Sequence, residues 1–116
     1  MADDLRKGVP VAVPEVVREL FARFGESSFT LQATLDDAPT LWVGVNRILE
    51  VLRYLKTGVP RPYKMLYDLT AVDERMRKNR QGMPAADFTV VYHLLSIERN
   101  SDVRLKVALQ GDMPSL

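Results

Sequence analysis

The stretch Phe88–Leu109, "FTVVYHLLSIERNSDVRLKVAL", decides the fold. Its first ten residues are almost all apolar or β-branched, which predicts a strand set well inside a sheet. The following "ERNSD" carries Asn100 and Asp102, residues that build turns. "VRLKVAL" then alternates, with Val103, Leu105, Val107 and Leu109 on one side and Arg104 and Lys106 on the other. That period of two marks a strand. Two such runs joined by a short turn are antiparallel neighbours.

Upstream, the period changes twice. "PEVVRELFARFG" puts Val16, Val17, Leu20, Phe21 and Phe24 on one side at helical spacing, with Pro14 in the first turn and Gly25 as the stop. "SFTLQATL", Ser28–Leu35, alternates again. After the turn "DDAPT", Leu41, Val43 and Val45 continue the pattern in a second strand. Asn46 is placed to cap a second helix, whose apolar stripe is Ile48, Leu49, Leu52 and Leu55, closed by Gly58. Met65–Val72 is a third strand. The expected fold is α+β, in the order α-β-β-α-β-β-β: a mostly antiparallel five-stranded sheet with both helices packed on one face. Residues 1–13 read as a flexible arm and 14–110 as one domain. Residues 111–116 read as a tail cut from a longer chain.

A chain of 116 residues is long enough for one self-sufficient core. Hydrophobic residues make up 47% and charged residues 27%, the balance of an ordinary globular domain. Sixteen basic against 15 acidic side chains leave a net charge of +1, without the basic excess of a nucleic-acid binder. No cysteine is present, so thiolate-held clusters, Cys-based zinc and thiol nucleophiles are excluded from this segment. No apolar run approaches the roughly 20 residues needed to cross a bilayer as a helix.

Chemistry is hard to assemble. The glycines are scattered and form no phosphate-binding loop. His93 is the only histidine and reads as structural, satisfied by a neighbour in the sheet. Asp68, Asp73 and Glu74 are the best acid–base candidates, with Asp68 and Glu74 as the pair for a small enzyme. Aspartate inside a strand is unusual. If buried, Asp68 needs a partner such as Arg75, Arg99 or Lys64, and a satisfied ion pair is the favoured reading. Arg75, Arg77, Lys78 and Arg80 lie in a long connection, residues 73–87, of the sort that often carries contacts. Trp42, on the strand face opposite Leu41 and Val43, is a further interface candidate if it is exposed. From the residues alone the chain reads as an interaction module; the alternative function is a stand-alone protein- or RNA-binding domain using the basic 75–80 loop.

Three blocks narrow this. "RILEVLRYLK", "PYKMLYDLTAVDERMR" and "ADFTVVYHLLSIERNSDVRLKVAL" occur in the order, and nearly the wording, of one family. Together with "FGESSFTLQAT" they resemble the N-terminal domain of the C subunit of proton-translocating NADH-quinone oxidoreductase, respiratory complex I, most closely the fused C/D form. The resemblance covers about Val16 to Leu109. It implies a non-catalytic scaffold domain in the peripheral arm, on the cytoplasmic side of the bacterial inner membrane. The D and B subunits are the implied neighbours, and neither nucleic-acid binding nor membrane insertion is implied. The parent complex carries electrons from NADH through FMN and iron–sulfur clusters to quinone; the domain itself is expected to bind none of these cofactors and to have no activity alone. A tryptophan- and tyrosine-bearing acidic block that follows the last strand in this family is absent here. No catalytic or metal residue transfers. The candidate interface residues remain Trp42, Arg75, Arg77, Lys78 and Arg80.

Overall fold

The structure, a computed structural model, describes residues 13–34, 36, 38–75, 84 and 86–110. Helix α1 spans Glu15–Phe24 and buries Val16, Val17 and Leu20, each contributing about 1.5–3 kcal/mol of hydrophobic burial. The carbonyl of Pro14 accepts from the N–H groups of Val17 and Arg18 at 3.0 and 3.2 Å. Gly25 ends the helix at φ 90°, a conformation that a Cβ disfavours. Strands β1 (Phe29–Gln32) and β2 (Thr40–Val43) follow, then helix α2 (Ile48–Arg53), whose last turn widens to π geometry over Tyr54–Gly58. Strands β3 (Met65–Asp73), β4 (Phe88–Ser96) and β5 (Ser101–Leu109) complete the order α-β-β-α-β-β-β.

The sheet runs β1-β2-β5-β4-β3. Three neighbouring pairs are antiparallel, while β2 and β5 are parallel, so the sheet is mixed although mostly antiparallel. After β2 the chain crosses by α2 to the far edge, lays down β3, and returns through β4 to insert β5 in the middle. The expected hairpin between β4 and β5 is present, with Asn100 at φ 53° in its turn. β4 is interior, but β5 is the central strand.

One face carries the core. Val103, Leu105, Val107 and Leu109 of β5 meet Val90 and Leu94 of β4, Leu41 and Val43 of β2, and Phe29 of β1. Val16, Val17 and Leu20 from α1 and Ile48, Val51 and Leu55 from α2 pack on this face in the same cluster. The two helices therefore share one side of the sheet, as the patterning predicts.

Three local expectations are corrected. Asn46 does not cap α2: the Arg47 N–H donates to the Gly44 carbonyl at 2.9 Å, closing a turn, and α2 starts one residue later with Arg47 as its cap. Leu49 is 73% exposed, and Val51 is buried in its place, because the buried stripe steps 48, 51, 55. β1 and β2 are also shorter than the alternation suggests. Leu31 and Val45 are exposed, since β1 is an edge strand and β2 ends before Gly44.

Candidate interaction surface

β3 ends beside the start of β4, and three carboxylates in and after it take different environments. Asp73 is engaged by Arg75, whose Nη2 donates at 2.6 Å and whose backbone N–H donates at 3.0 Å. That guanidinium holds the Asp73 carboxyl down at about 2. It also sits 5.1 Å over the Phe88 ring, within cation–π range. Glu74 is buried; its Oε2 accepts from the Thr89 hydroxyl at 2.6 Å, and its N–H donates to the Asp87 carbonyl.

Asp68 corrects the sequence reading. It is exposed and forms no ion pair with Arg75, Arg99 or Lys64; among the described residues its side chain accepts one hydrogen bond, from the Thr70 hydroxyl at 3.3 Å. An exposed carboxylate is solvated by water and needs no partner. With Asp68 on the surface and Glu74 in the interior, the pair is not presented together to any one cleft, and their acid–base pairing has no geometry behind it.

His93 is satisfied within the sheet. Its Nε2 lies 2.8 Å from Asp102 Oδ2 and 2.7 Å from the Tyr67 hydroxyl. The Tyr67 hydroxyl also donates to Asp102 at 3.3 Å. The imidazole and phenol rings stack with centroids 4.3 Å apart. Partial desolvation against its neighbours, then the Asp102 charge, raises the Tyr67 hydroxyl pKa, so it remains protonated as a donor at neutral pH. This cluster ties β3, β4 and β5 together, and it contains no nucleophile placed for attack.

A second polar network fixes α1 to the β4–β5 turn. The Arg99 side chain is only 4% exposed. It donates to Glu19 at 2.7 and 3.1 Å, to Glu15 at 3.1 Å and to the Arg61 carbonyl at 2.7 Å, and it lies 5.0 Å over Tyr63. Glu15, Arg61, Tyr63 and Arg99 border a cleft of about 520 Å³ that also reaches Arg104. Its arginines are engaged by Glu15, Glu19 and Asp36. The chemistry there is that of a fastening between elements.

Trp42 is only 5% exposed. Its indole N–H donates to Gln32 at 3.0 Å, Lys106 lies 5.5 Å over the ring, and Pro84 lines the same small cleft. The exposure on which its candidacy as a contact is conditional is not found; the alternative, a packed tryptophan, is what the structure has. Arg75 is exposed; Arg77, Lys78 and Arg80 lie outside the described residues.

The surface that sequence reasoning missed is β3 itself. All nine of its residues are exposed. Leu66, Leu69 and Ala71 stand on the helix-bearing side, opposite Leu94, Tyr92 and Val90. Met65 and Val72 stand on the other. Leu69 is 56% exposed, although it would pass for a core position by pattern. On the open side a groove of about 500 Å³ continues from Met65 to Leu95 and Ile97. Contiguous exposed apolar residues of this kind mark contact sites. Apolarity alone could not reveal this, because it does not say which strand stands at an edge.

Compared with known protein families, residues 41–116 match the one described as "Respiratory-chain NADH dehydrogenase, 30 Kd subunit". The chain belongs to this family. Among relatives of this 30 kDa family, the C/D subunit of NADH-quinone oxidoreductase from Azotobacter vinelandii is 60% identical over 100 residues, covering 85% of this chain and 17% of that protein. The protein of the same name from Methylococcus capsulatus is 54% identical over 101 residues, covering 87% and 17%. The chain thus spans about a sixth of the length of the curated relatives it matches. A solved structure of a trypsin-resistant fragment of Nqo5 superposes with a TM-score of 0.67 at 17% identity, covering 84% of this chain and 70% of that one. That likeness is one of fold alone.

Proposed function

We propose that this chain is a scaffold domain of the peripheral arm of proton-translocating NADH-quinone oxidoreductase, corresponding to the C portion of the fused C/D polypeptide. It holds its neighbours, the D and B subunits first among them, in place on the cytoplasmic side of the inner membrane. Electrons from NADH pass to quinone through FMN and clusters carried elsewhere in the complex. The observation that carries the reading is the family match combined with a nine-residue strand exposed on both faces. The sequence supplies no cysteine for an iron–sulfur cluster. Among the described residues, no three histidine, aspartate or glutamate side chains converge as metal ligands, and no helix is long and apolar enough to cross a membrane. Arg75 and the connection that follows it are a second contact region in this reading.

The test replaces the matching segment of the Azotobacter vinelandii C/D polypeptide with this sequence. Native gels of the membranes and NADH-to-quinone turnover should both stay near the parental level, and deleting the segment should abolish both together. The isolated chain should oxidise no NADH. A complex that assembles and turns over without the segment would overturn the reading.

A further inference from the structure

The two edges of the sheet are built differently. β1 is four residues long, a short edge of the kind that discourages pairing with other chains. β3 is nine residues long, and its outer backbone edge pairs with no described strand. Long apolar edges invite pairing, and proteins usually blunt or cover them. Among the described residues the edge is blunted by a bulge between Leu66 and Asp68, by the Asp68 charge and, at its end, by the Asp73–Arg75 pair.

We propose that β3 is a docking strand: it takes, as a sixth strand of the sheet, an extended apolar segment bearing a basic residue, supplied by the D portion of the C/D polypeptide. This rests on the function proposed above and names its contact.

Three observations select that occupant. Apolar side chains are exposed on both sides of β3, with Leu66 and Leu69 on one and Met65 and Val72 on the other. A helix laid on the sheet would cover one side only. An added strand sets side chains about 5 Å from those of β3 on both sides at once and pairs the open backbone. Secondly, Asp68 stands near the middle of the strand, and among the described residues its side chain bonds Thr70 alone, so a lysine or arginine on the incoming strand meets an opposite charge. Thirdly, the relatives join C and D in one polypeptide, about five sixths of which lies outside the matched region. Leu109 of β5 is in register with Phe88, and Phe88 with Asp73. The end of β5 is therefore two strand spacings from β3, about 10 Å, a gap that about three extended residues cross. The polypeptide that follows β5 therefore leaves the sheet within reach of β3.

Hydrogen exchange tests this on the isolated chain and on the assembled complex carrying this sequence in its C/D polypeptide. The β3 amides that face away from β4 should slow about tenfold or more on assembly. Leu69→Asp and Asp68→Lys should each lower the yield of assembled complex about tenfold, while the isolated variants melt within about 2 °C of the parent. Leu49→Asp, at an exposed position on α2, should leave the yield unchanged. If the unaltered sequence fails to assemble, the proposed function itself falls. If it assembles while the outward β3 amides exchange as before, or slow only by self-association of the isolated chain, strand docking is wrong and the scaffold role stands.

Discussion

β3 and β5 are both nine residues long, and both mix leucine, valine and alanine with charged and polar residues. Their fates are opposite. β5 lies between β2 and β4 and buries every second residue from Val103 to Leu109. β3 pairs, among the described strands, with β4 alone and buries none of its residues. Similar compositions acquire different roles from their place in the sheet: the middle strand organises the core, and the edge strand becomes surface. The helix layer sharpens this, because α1 and α2 bury residues of β1, β2, β5 and β4 in their shared cluster and none of β3.

The largest expected effect comes from exchanging the same side chain in the two strands. Leu105 is fully buried. Leu105→Ala removes about 3 kcal/mol, counting lost transfer energy and the cavity left behind. Leu69→Ala, at a half-exposed site, costs under about 1 kcal/mol. Urea unfolding of the two variants measures both. Equal losses would mean that β3 is covered within the chain itself, and the comparison would break.

Next come the fastenings at the strand ends. Arg99, at the turn into β5, is buried among Glu15, Glu19 and Tyr63. Arg99→Ala forfeits charge-assisted hydrogen bonds and leaves Glu19 without this cation, a loss of about 2 kcal/mol. Arg75, at the end of β3, makes its ion pair in the open, where such pairs add little. Arg75→Ala should leave the unfolding midpoint where it is. A midpoint shift for Arg75→Ala as large as for Arg99→Ala would contradict the contrast.

A smaller effect tests the helix layer over the central strand. A Cβ at Gly58 would lie 2.8 Å from Cδ1 of the Tyr54 ring, and that ring packs edge-on against Phe24 with centroids 5.6 Å apart. Gly58→Ala must push the ring aside, costing about 1 kcal/mol of overpacking. If Gly58→Ala costs nothing further in a Tyr54→Ala background, the clash with the ring is the cause.

The sequence made the central part of this comparison readable and left the edges obscure. The alternation of Val103 to Leu109 and the apolar run before it specify β5 and β4, since a buried face demands one register. The helix at 14–25 is equally legible, from its stripe and from Gly25. Leu49, Leu31 and Leu69 were legible only as apolar residues. Whether an apolar side chain is covered depends on which element lies over it, and that is set by strand order, which local periodicity does not encode. The parallel pairing of β2 with β5 is likewise a property of the crossover. For the candidate surface, Asp68 was visible as an oddity in a strand. Its meaning depended on an exposure that the pattern could not supply, and Trp42 failed in the opposite direction, through the cover given by Gln32 and Lys106.

The smallest effect separates two carboxylates that look alike. Asp36 is held at about 2 chiefly by hydrogen bonds from Arg104 of β5, and Asp73 at about 2 chiefly by Arg75. A folded pKa below the unfolded value, about 3.9, contributes stability above that value, and the contribution is lost as pH falls from about 4 towards 2. Only the difference between folded and unfolded states counts. Asp36 and Arg104 are 68 residues apart in sequence, so unfolding separates them and little of their attraction, modest as it is at an exposed site, survives in the unfolded chain. Asp73 and Arg75 are two residues apart; part of their attraction persists in the unfolded chain, and less of the shift is felt. Asp36→Asn should therefore flatten the fall of the melting temperature between pH 4 and 2 more than Asp73→Asn does. An equal flattening would show that the pair at the end of β3 depends on the fold as much as the pair on the central strand.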